Sequence, residues 1–183
     1  MEENPERNIV NKVVVVTGSS RGIGANIVKT LAKKGYRVIL NYNKSENYAQ
    51  NVQKELINVD IFKADVSKKA EAVSLINFAI EKYGKIDVLI NNAGISENKL
   101  FTNVTDEDWN RMINTNLYSA FCVSQEVIPY MIHEKNGCII NISSVWGIVG
   151  SSCETIYSIA KAGIDGMTKS LAKELGPSNI RVN

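Results

Sequence analysis

The stretch Val13-Val-Val-Val-Thr-Gly-Ser-Ser-Arg-Gly-Ile-Gly24 is a run of four valines that breaks into glycines spaced G-x-x-x-G-x-G, and a helical apolar spacing takes over from Ile23 to Lys34. A short β-branched run bounded by a turn signal predicts a buried strand. A glycine-rich turn between such a strand and a helix aims the helix's first amides, and the positive end of its dipole, at an anion. The expected result is a cradle for a pyrophosphate. Gly18 serves the sharp turn, Gly22 the approach of phosphate to the backbone, and Gly24 close contact with the helix, each role depending on a missing Cβ. The spacing departs from the more usual G-x-G-x-x-G.

Outward from that loop, short apolar runs recur at Val38-Ile-Leu40, Val59 to Phe62, Ile86 to Ile90 and Cys138 to Ile142. Between them lie stretches with helical spacing at Glu46 to Ile57, Lys68 to Tyr83, Asp106 to His133 and Glu154 to Leu175. Such alternation calls for parallel strands joined by right-handed crossovers, hence a sheet covered on both faces. The predicted fold class is α/β, a doubly wound Rossmann-type parallel sheet with helices on both faces, forming a single dinucleotide-binding domain over 1–183. Gly35 and Gly84 are placed to stop helices, and Thr105 to start one before the acidic Asp106-Glu-Asp108.

With 183 residues, 44% hydrophobic content and 3 prolines, the chain can bury one sizeable core and offers little to separate two. Its net charge is +2 with the signs interspersed, so it lacks the basic stripe of a nucleic-acid binder. The polar start, Met1 to Asn11, and apolar runs too short to span a bilayer predict neither export nor membrane anchoring. Cys122, Cys138 and Cys153 lack the C-x-x-C spacing of zinc or redox sites, so no metal is expected and a reducing cytoplasm fits. His133 has no evident partner and reads as a surface residue. Without a G-x-S-x-G elbow, Ser-His-Asp hydrolysis is set aside.

Chemistry gathers at the predicted strand ends. The second strand runs out in Asn41-Tyr-Asn-Lys44, with no Asp or Glu to grip a ribose 2′-hydroxyl and repel a 2′-phosphate, which favours NADP(H) over NAD(H). Arg21 and Lys44 are candidates to bind that extra phosphate, and either can instead be a solvated surface cation. Asp65-Val-Ser67 follows the third strand and on its own reads as a helix N-cap region. After the fourth comes Asn91-Asn-Ala-Gly94, whose small residues let backbone lie close to a ligand while the amides bond to neighbouring strands. On the last helical stretch Tyr157 and Lys161 stand four residues apart, on one face. A free phenol titrates near pH ~10, so proton transfer around neutrality calls for a cation beside it. Lys161 is placed to be that cation, although such a pair alone is as readily a packed tyrosine next to a solvated lysine.

Together, Thr17 to Gly24, Asn91 to Gly94, Asn116 within Asn114-Thr-Asn-Leu117, Ser144, and Tyr157-Ser-Ile-Ala-Lys161 resemble the short-chain dehydrogenase/reductase family, in the right order and over nearly the whole chain. Within it they most resemble bacterial 3-oxoacyl-acyl-carrier-protein reductases. The resemblance implies NADPH-dependent reduction of a ketone to a secondary alcohol, in the first instance 3-oxoacyl-acyl-carrier-protein to its 3-hydroxyacyl form in fatty-acid synthesis. It implies a cytoplasmic homotetramer or homodimer, with the segment from Asp106 to His133 pairing across an interface. By resemblance the catalytic set is Asn116, Ser144, Tyr157 and Lys161: Tyr157 delivers the proton, Lys161 supports it and holds the nicotinamide ribose, Ser144 bonds the substrate carbonyl oxygen, and Asn116 anchors a water-linked proton path. Cofactor contacts implied the same way are Gly18, Ser20, Arg21, Gly22, Ile23 and Gly24, then Asn43, Lys44, Asp65 and Val66, then Asn92, Ala93 and Gly94, besides Tyr157 and Lys161.

One stretch departs from those reductases, Ser143-Ser-Val-Trp-Gly147 with Gly150-Ser-Ser-Cys-Glu154. It is similar to reductases of the 5-aminopentanone modification on elongation factor P, an alternative in which Glu154 meets an aminated substrate. Glu154 can equally be a charge favoured in a helix's first turn. An alternative from another class is a non-catalytic NADP-binding sensor or scaffold. The chain stops at Ile180-Arg-Val-Asn183, in what resembles a sixth strand, so the C-terminal part of the family fold, with its last strand, is expected to be missing.

Overall fold

The computed structural model describes residues 11–183, so the reading of the polar start falls, for Met1 to Val10, outside the described residues. Six strands build one sheet: β1 (Val13–Val16), β2 (Arg37–Tyr42), β3 (Val59–Lys63), β4 (Val88–Asn91), β5 (Gly137–Asn141) and β6 (Ile180–Val182). All pairs are parallel and the order is β3-β2-β1-β4-β5-β6. The helices are α1 (Gly22–Lys33), α2 (Glu46–Lys54), α3 (Lys69–Tyr83), α4 (Asp106–Ile113), α5 (Ser119–Glu134), α6 (Trp146–Val149) and α7 (Thr155–Leu175). The doubly wound α/β expectation is met.

The four valines of β1 are all buried because both faces of a parallel sheet are covered. Val13 and Val15 join Ile39, Leu89 and Ile139 against Leu75 and Ile76 of α3 and Val123, Val127 and Met131 of α5. Val14 and Val16 join Val38 and Leu40 against Ala25 and Val28 of α1 and Ala49 and Val52 of α2. Consecutive residues feed opposite cores, as the two-residue period of a strand requires. Crossovers leave β1 toward β2 on one side and β4 lies on the other, so the carboxyl ends of β1 and β4 frame the crevice where ligands of such sheets bind.

Helix boundaries follow the sequence with instructive exceptions. Gly35 (φ 92) and Gly84 (φ 74) end α1 and α3 in left-handed conformations. Thr105 caps α4: its Oγ1 accepts from the Asp108 amide at 3.3 Å, and the Asp108 carboxylate accepts from the Thr105 amide at 3.1 Å. The segment expected as one helix from Asp106 to His133 is instead divided by a π-type turn, Asn114–Tyr118. Side chains take over carbonyls that would serve the ladder there, Asn116 Nδ2 donating to Met112 O at 3.0 Å and Ser119 Oγ to Thr115 O at 2.7 Å. Helix α6 is an element that apolar spacing did not announce, being four residues long.

Candidate active site

The glycine-rich loop leaves β1 through Gly18 at φ 58, and a Cβ there would stand 2.7 Å from Ala93 Cα. Only glycine lets the loop turn and lie against the Asn92–Gly94 segment at once. Gly24 is packed as closely, a Cβ falling 2.6 Å from Ser19 Cα, whereas nothing lies within 4 Å of one on Gly22, whose side is open to a ligand. Thr17 Oγ1, buried, accepts from the amides of Asn92 and Ala93 at 3.0 Å each, and Asn92 Nδ2 donates to Thr17 O and Gly18 O at 3.0 Å. The ends of β1 and β4 are thereby fastened into one floor.

A groove of about 740 Å³ opens above that floor. It is lined by Gly18, Ser20, Arg21, Gly22, Ile23 and Gly24 of the loop, by Asn43 and Lys44 after β2, by Asp65 and Val66 after β3, and by Asn92, Ala93 and Gly94 after β4. These are all the positions expected to hold a dinucleotide apart from Tyr157 and Lys161. Arg21 and Lys44 are both exposed there, with no carboxylate among the described residues bridging either. Asp65 is not a helix cap: α3 begins at Lys69, and the Asp65 carboxylate instead closes a turn by accepting from the Ser67 amide at 3.2 Å and its hydroxyl at 2.6 Å. The groove's size, its open helix N-terminus and the glycine approach fit a dinucleotide cofactor.

On the other side, α7 carries Tyr157 and Lys161 one turn apart. Lys161 is 5% exposed, its Nζ donates to Ile142 O at 2.7 Å and sits 5.6 Å from the centre of the Tyr157 ring. Burial pushes this ammonium below the usual lysine range, and Asp165 one turn further opposes the shift. Ile142 precedes the turn that bears Ser144, whose Oγ accepts from the Trp146 amide at 3.2 Å. Asn116 is buried in the π-type turn, its Oδ1 accepting from Ile95 N at 3.1 Å, directly after Gly94. Its side chain therefore fixes the end of the groove floor, and both of its polar atoms are engaged within the protein.

A small cavity of about 20 Å³, room for one water, touches Tyr157, Glu154, Cys153, Asp108 and Glu97. Glu154 is the N-cap residue of α7, with no side-chain capping bond, so it stands just outside the first turn where its charge was placed as an alternative. Ser144 lines neither this cavity nor the groove. Two positions escaped sequence reasoning. Arg111 lines the groove and pairs with Glu97, and Asn41, taken as a place where an acid is missing, is 1% exposed and turned into the loop. A polar residue in the run Val38-Ile-Leu-Asn-Tyr42 was the available signal.

Among the described residues no helix is long and apolar enough to cross a membrane, and no group of three His, Cys, Asp or Glu side chains could hold a metal ion. The sequence model of the short chain dehydrogenase family matches residues 12–183. Among curated relatives, the 3-oxoacyl-(acyl-carrier-protein) reductase FabG of Thermotoga maritima is 42% identical over 176 residues, covering 94% of this chain and 71% of that protein. Proteins of the same name from Staphylococcus aureus and Chlamydia trachomatis are 40% and 42% identical, over 95% and 96% of this chain and 72% of each relative.

Proposed function

As the chain belongs to the short chain dehydrogenase family, we propose that it reduces a ketone to a secondary alcohol with NADPH, and that its substrate is a 3-oxoacyl chain borne on acyl carrier protein. The carrying observation is the buried Lys161 ammonium, 5.6 Å from the Tyr157 ring, on a fold whose phosphate loop opens a groove that fits a dinucleotide. Bound in that groove, the nicotinamide supplies hydride. Tyr157 is the proton donor to the developing alkoxide, and Lys161 keeps positive charge beside the phenol. Ser144 donates its hydroxyl proton to the substrate oxygen as negative charge builds on it, a bond compatible with its Oγ accepting from the Trp146 amide. Asn116 holds the floor through Ile95. Glu154 borders the substrate beside Tyr157.

NADPH is preferred because Arg21 and Lys44 line the groove while Asn43, rather than an acid, follows the buried end of β2. The single domain works in the cytoplasm, which three free cysteines suit, and as a homotetramer or homodimer, for which Trp109 and the stacked Tyr118–Phe121 pair offer exposed apolar surface. The test is NADPH oxidation with acetoacetyl thioesters and with an aminated ketone carried on a protein, Tyr157→Phe serving as control. Turnover of the thioester alone is expected. Turnover of the aminated ketone alone would transfer the assignment to that substrate, and binding of NADPH without turnover of either would overturn the reductase reading.

A further inference from the structure

We propose that Asn41 is a positioning residue that sets the shape of the phosphate loop from beneath, making the adenosine-side strand β2 the template on which the pyrophosphate seat is built. The proposal rests on the cofactor reading above and adds to it a residue that does not touch the cofactor's reacting atoms.

Strand alternation decides where this side chain goes. Val38, Leu40 and Tyr42 feed the core under α1 and α2, and Ile39 feeds the opposite one, so Asn41 falls on the Ile39 face. An aliphatic residue would continue the core there. Asn41 instead lies just past the last β1–β2 pair, Val16 with Leu40, where β1 turns away at Gly18 and the ladder has lost its partner. Its groups replace the missing rungs. Oδ1 accepts from the Gly18 amide at 3.1 Å, and the Asn41 carbonyl accepts from the Ser19 amide at 2.8 Å. Nδ2 donates across to Ala64 O at 3.0 Å, beyond the end of β3. Ser19 Oγ closes the arrangement by donating to Val16 O at 2.7 Å.

One side chain, 1% exposed, thus ties the ends of three adjacent strands and turns the Gly18 amide inward, while the carbonyl of the same residue holds the next amide, that of Ser19. The chain then leaves the sheet at Ser20, and Gly22, Ile23 and Gly24, whose amides helix geometry leaves without intrahelical partners, line the groove. Without Asn41 the Gly18 amide has no sheet acceptor and the loop is free to rotate those amides out of register. A residue of this kind acts on cofactor affinity more than on the chemical step, because Tyr157 and Lys161 stand on α7 and share no hydrogen bond with it.

The experiment compares wild type, Asn41→Ala and Asn41→Thr in NADPH titrations, in kcat and KM at saturating ketone, and in hydrogen exchange of the Gly18 and Ser19 amides. The expected result is a rise of about tenfold in NADPH Kd and KM for Asn41→Ala with kcat at saturating NADPH retained. Asn41→Thr, whose hydroxyl can accept and donate, should recover part of the affinity. In cofactor-free wild type both amides should exchange as slowly as those of β1. Wild type that binds neither NADPH nor NADH would overturn the cofactor reading itself. Wild type that binds while Asn41→Ala binds equally well, or loses only folded fraction and kcat, would overturn the proposal alone. Should Asn41→Ala not fold, the wild-type exchange decides: amides exchanging at the rate of an exposed loop refute it.

Discussion

The two sides of the cleft are held by different kinds of bond. Around the phosphate loop, amides are fastened to groups sunk in the sheet: Gly18 and Ser19 to Asn41, and Asn92 and Ala93 to Thr17. Around Tyr157 the supports are side chains on α7 and a turn that carries Val145, Trp146, Ile148 and Val149 into solvent and holds Cys153 at φ 61. A buried amide with a fixed acceptor has few alternative states, whereas the four-residue α6 turns its apolar residues outward and is seated on α7 by Gly147, where a Cβ would lie 2.8 Å from Lys161 C. The cofactor side is therefore shaped before any ligand arrives. The Tyr157 side instead presents an exposed apolar edge in Val145, Ile148 and Val149.

Removing the Tyr157 hydroxyl should separate the sides most sharply. Tyr157→Phe is expected to lower kcat by about 10²- to 10⁴-fold, the range of a lost general acid, while NADPH affinity changes far less, by no more than one cofactor contact. A parallel loss of NADPH affinity would mean that the two sides are not independent. The reverse experiment replaces Arg21 and Lys44 together by Ala. Two lost charge-assisted contacts should weaken NADPH by about 10- to 100-fold, leave NADH unaffected and spare kcat, as read in paired cofactor titrations. If NADH weakens equally, the two cations serve the pyrophosphate rather than the 2′-phosphate.

A pair of glycines tests rigidity directly. A Cβ on Gly24 would lie 2.6 Å from Ser19 Cα, and one on Gly166, in the exposed part of α7, would meet nothing within 4 Å. Gly24→Ala should cost about 1–3 kcal/mol in denaturant unfolding through overpacking. Gly166→Ala should instead stabilise by about 0.5–1 kcal/mol, since the helix interior favours Ala. Equal effects at the two sites would remove the claim that the loop is the tighter of the two.

The same contrast explains what could be read before any coordinates. The loop was legible because its requirements are local: Gly18 must turn and Gly24 must touch Ser19, and both needs leave glycines at fixed spacing. Tyr157 and Lys161 were legible because one helical turn joins them. The bond from the Gly18 amide to Asn41 Oδ1 was not legible because it joins residues 23 apart that only the sheet brings together, and no local spacing encodes that. The break at Asn114–Tyr118 was missed because its cause, Asn116 serving both Ile95 and Met112, joins a helix to a loop 21 residues away. Apolar periodicity continues through a π-type turn and gives no sign of it.

A pH-dependent effect belongs to the edge of the substrate side. The Lys99 ammonium beside Asp108, and then the Thr105 amide, hold the Asp108 carboxyl well below the usual carboxylate range. A depressed acid contributes stability that is present above its unfolded value, about pH 4, and is lost as pH falls through the folded one. Asp108→Asn lacks that contribution at every pH. Urea midpoints of wild type and variant should therefore differ by a constant amount from neutrality down to about pH 4 and converge below it. Thr105→Ala, which removes the other half of the cap, should cost about 0.5–2 kcal/mol at neutral pH. Neither change reaches the phosphate loop, so NADPH affinity should hold while KM for the ketone moves, Asp108 and Tyr157 lining the same small cavity. A shift in NADPH affinity instead would show that α4 braces both sides of the cleft, through Arg111, which contacts Asp108 and lines the groove.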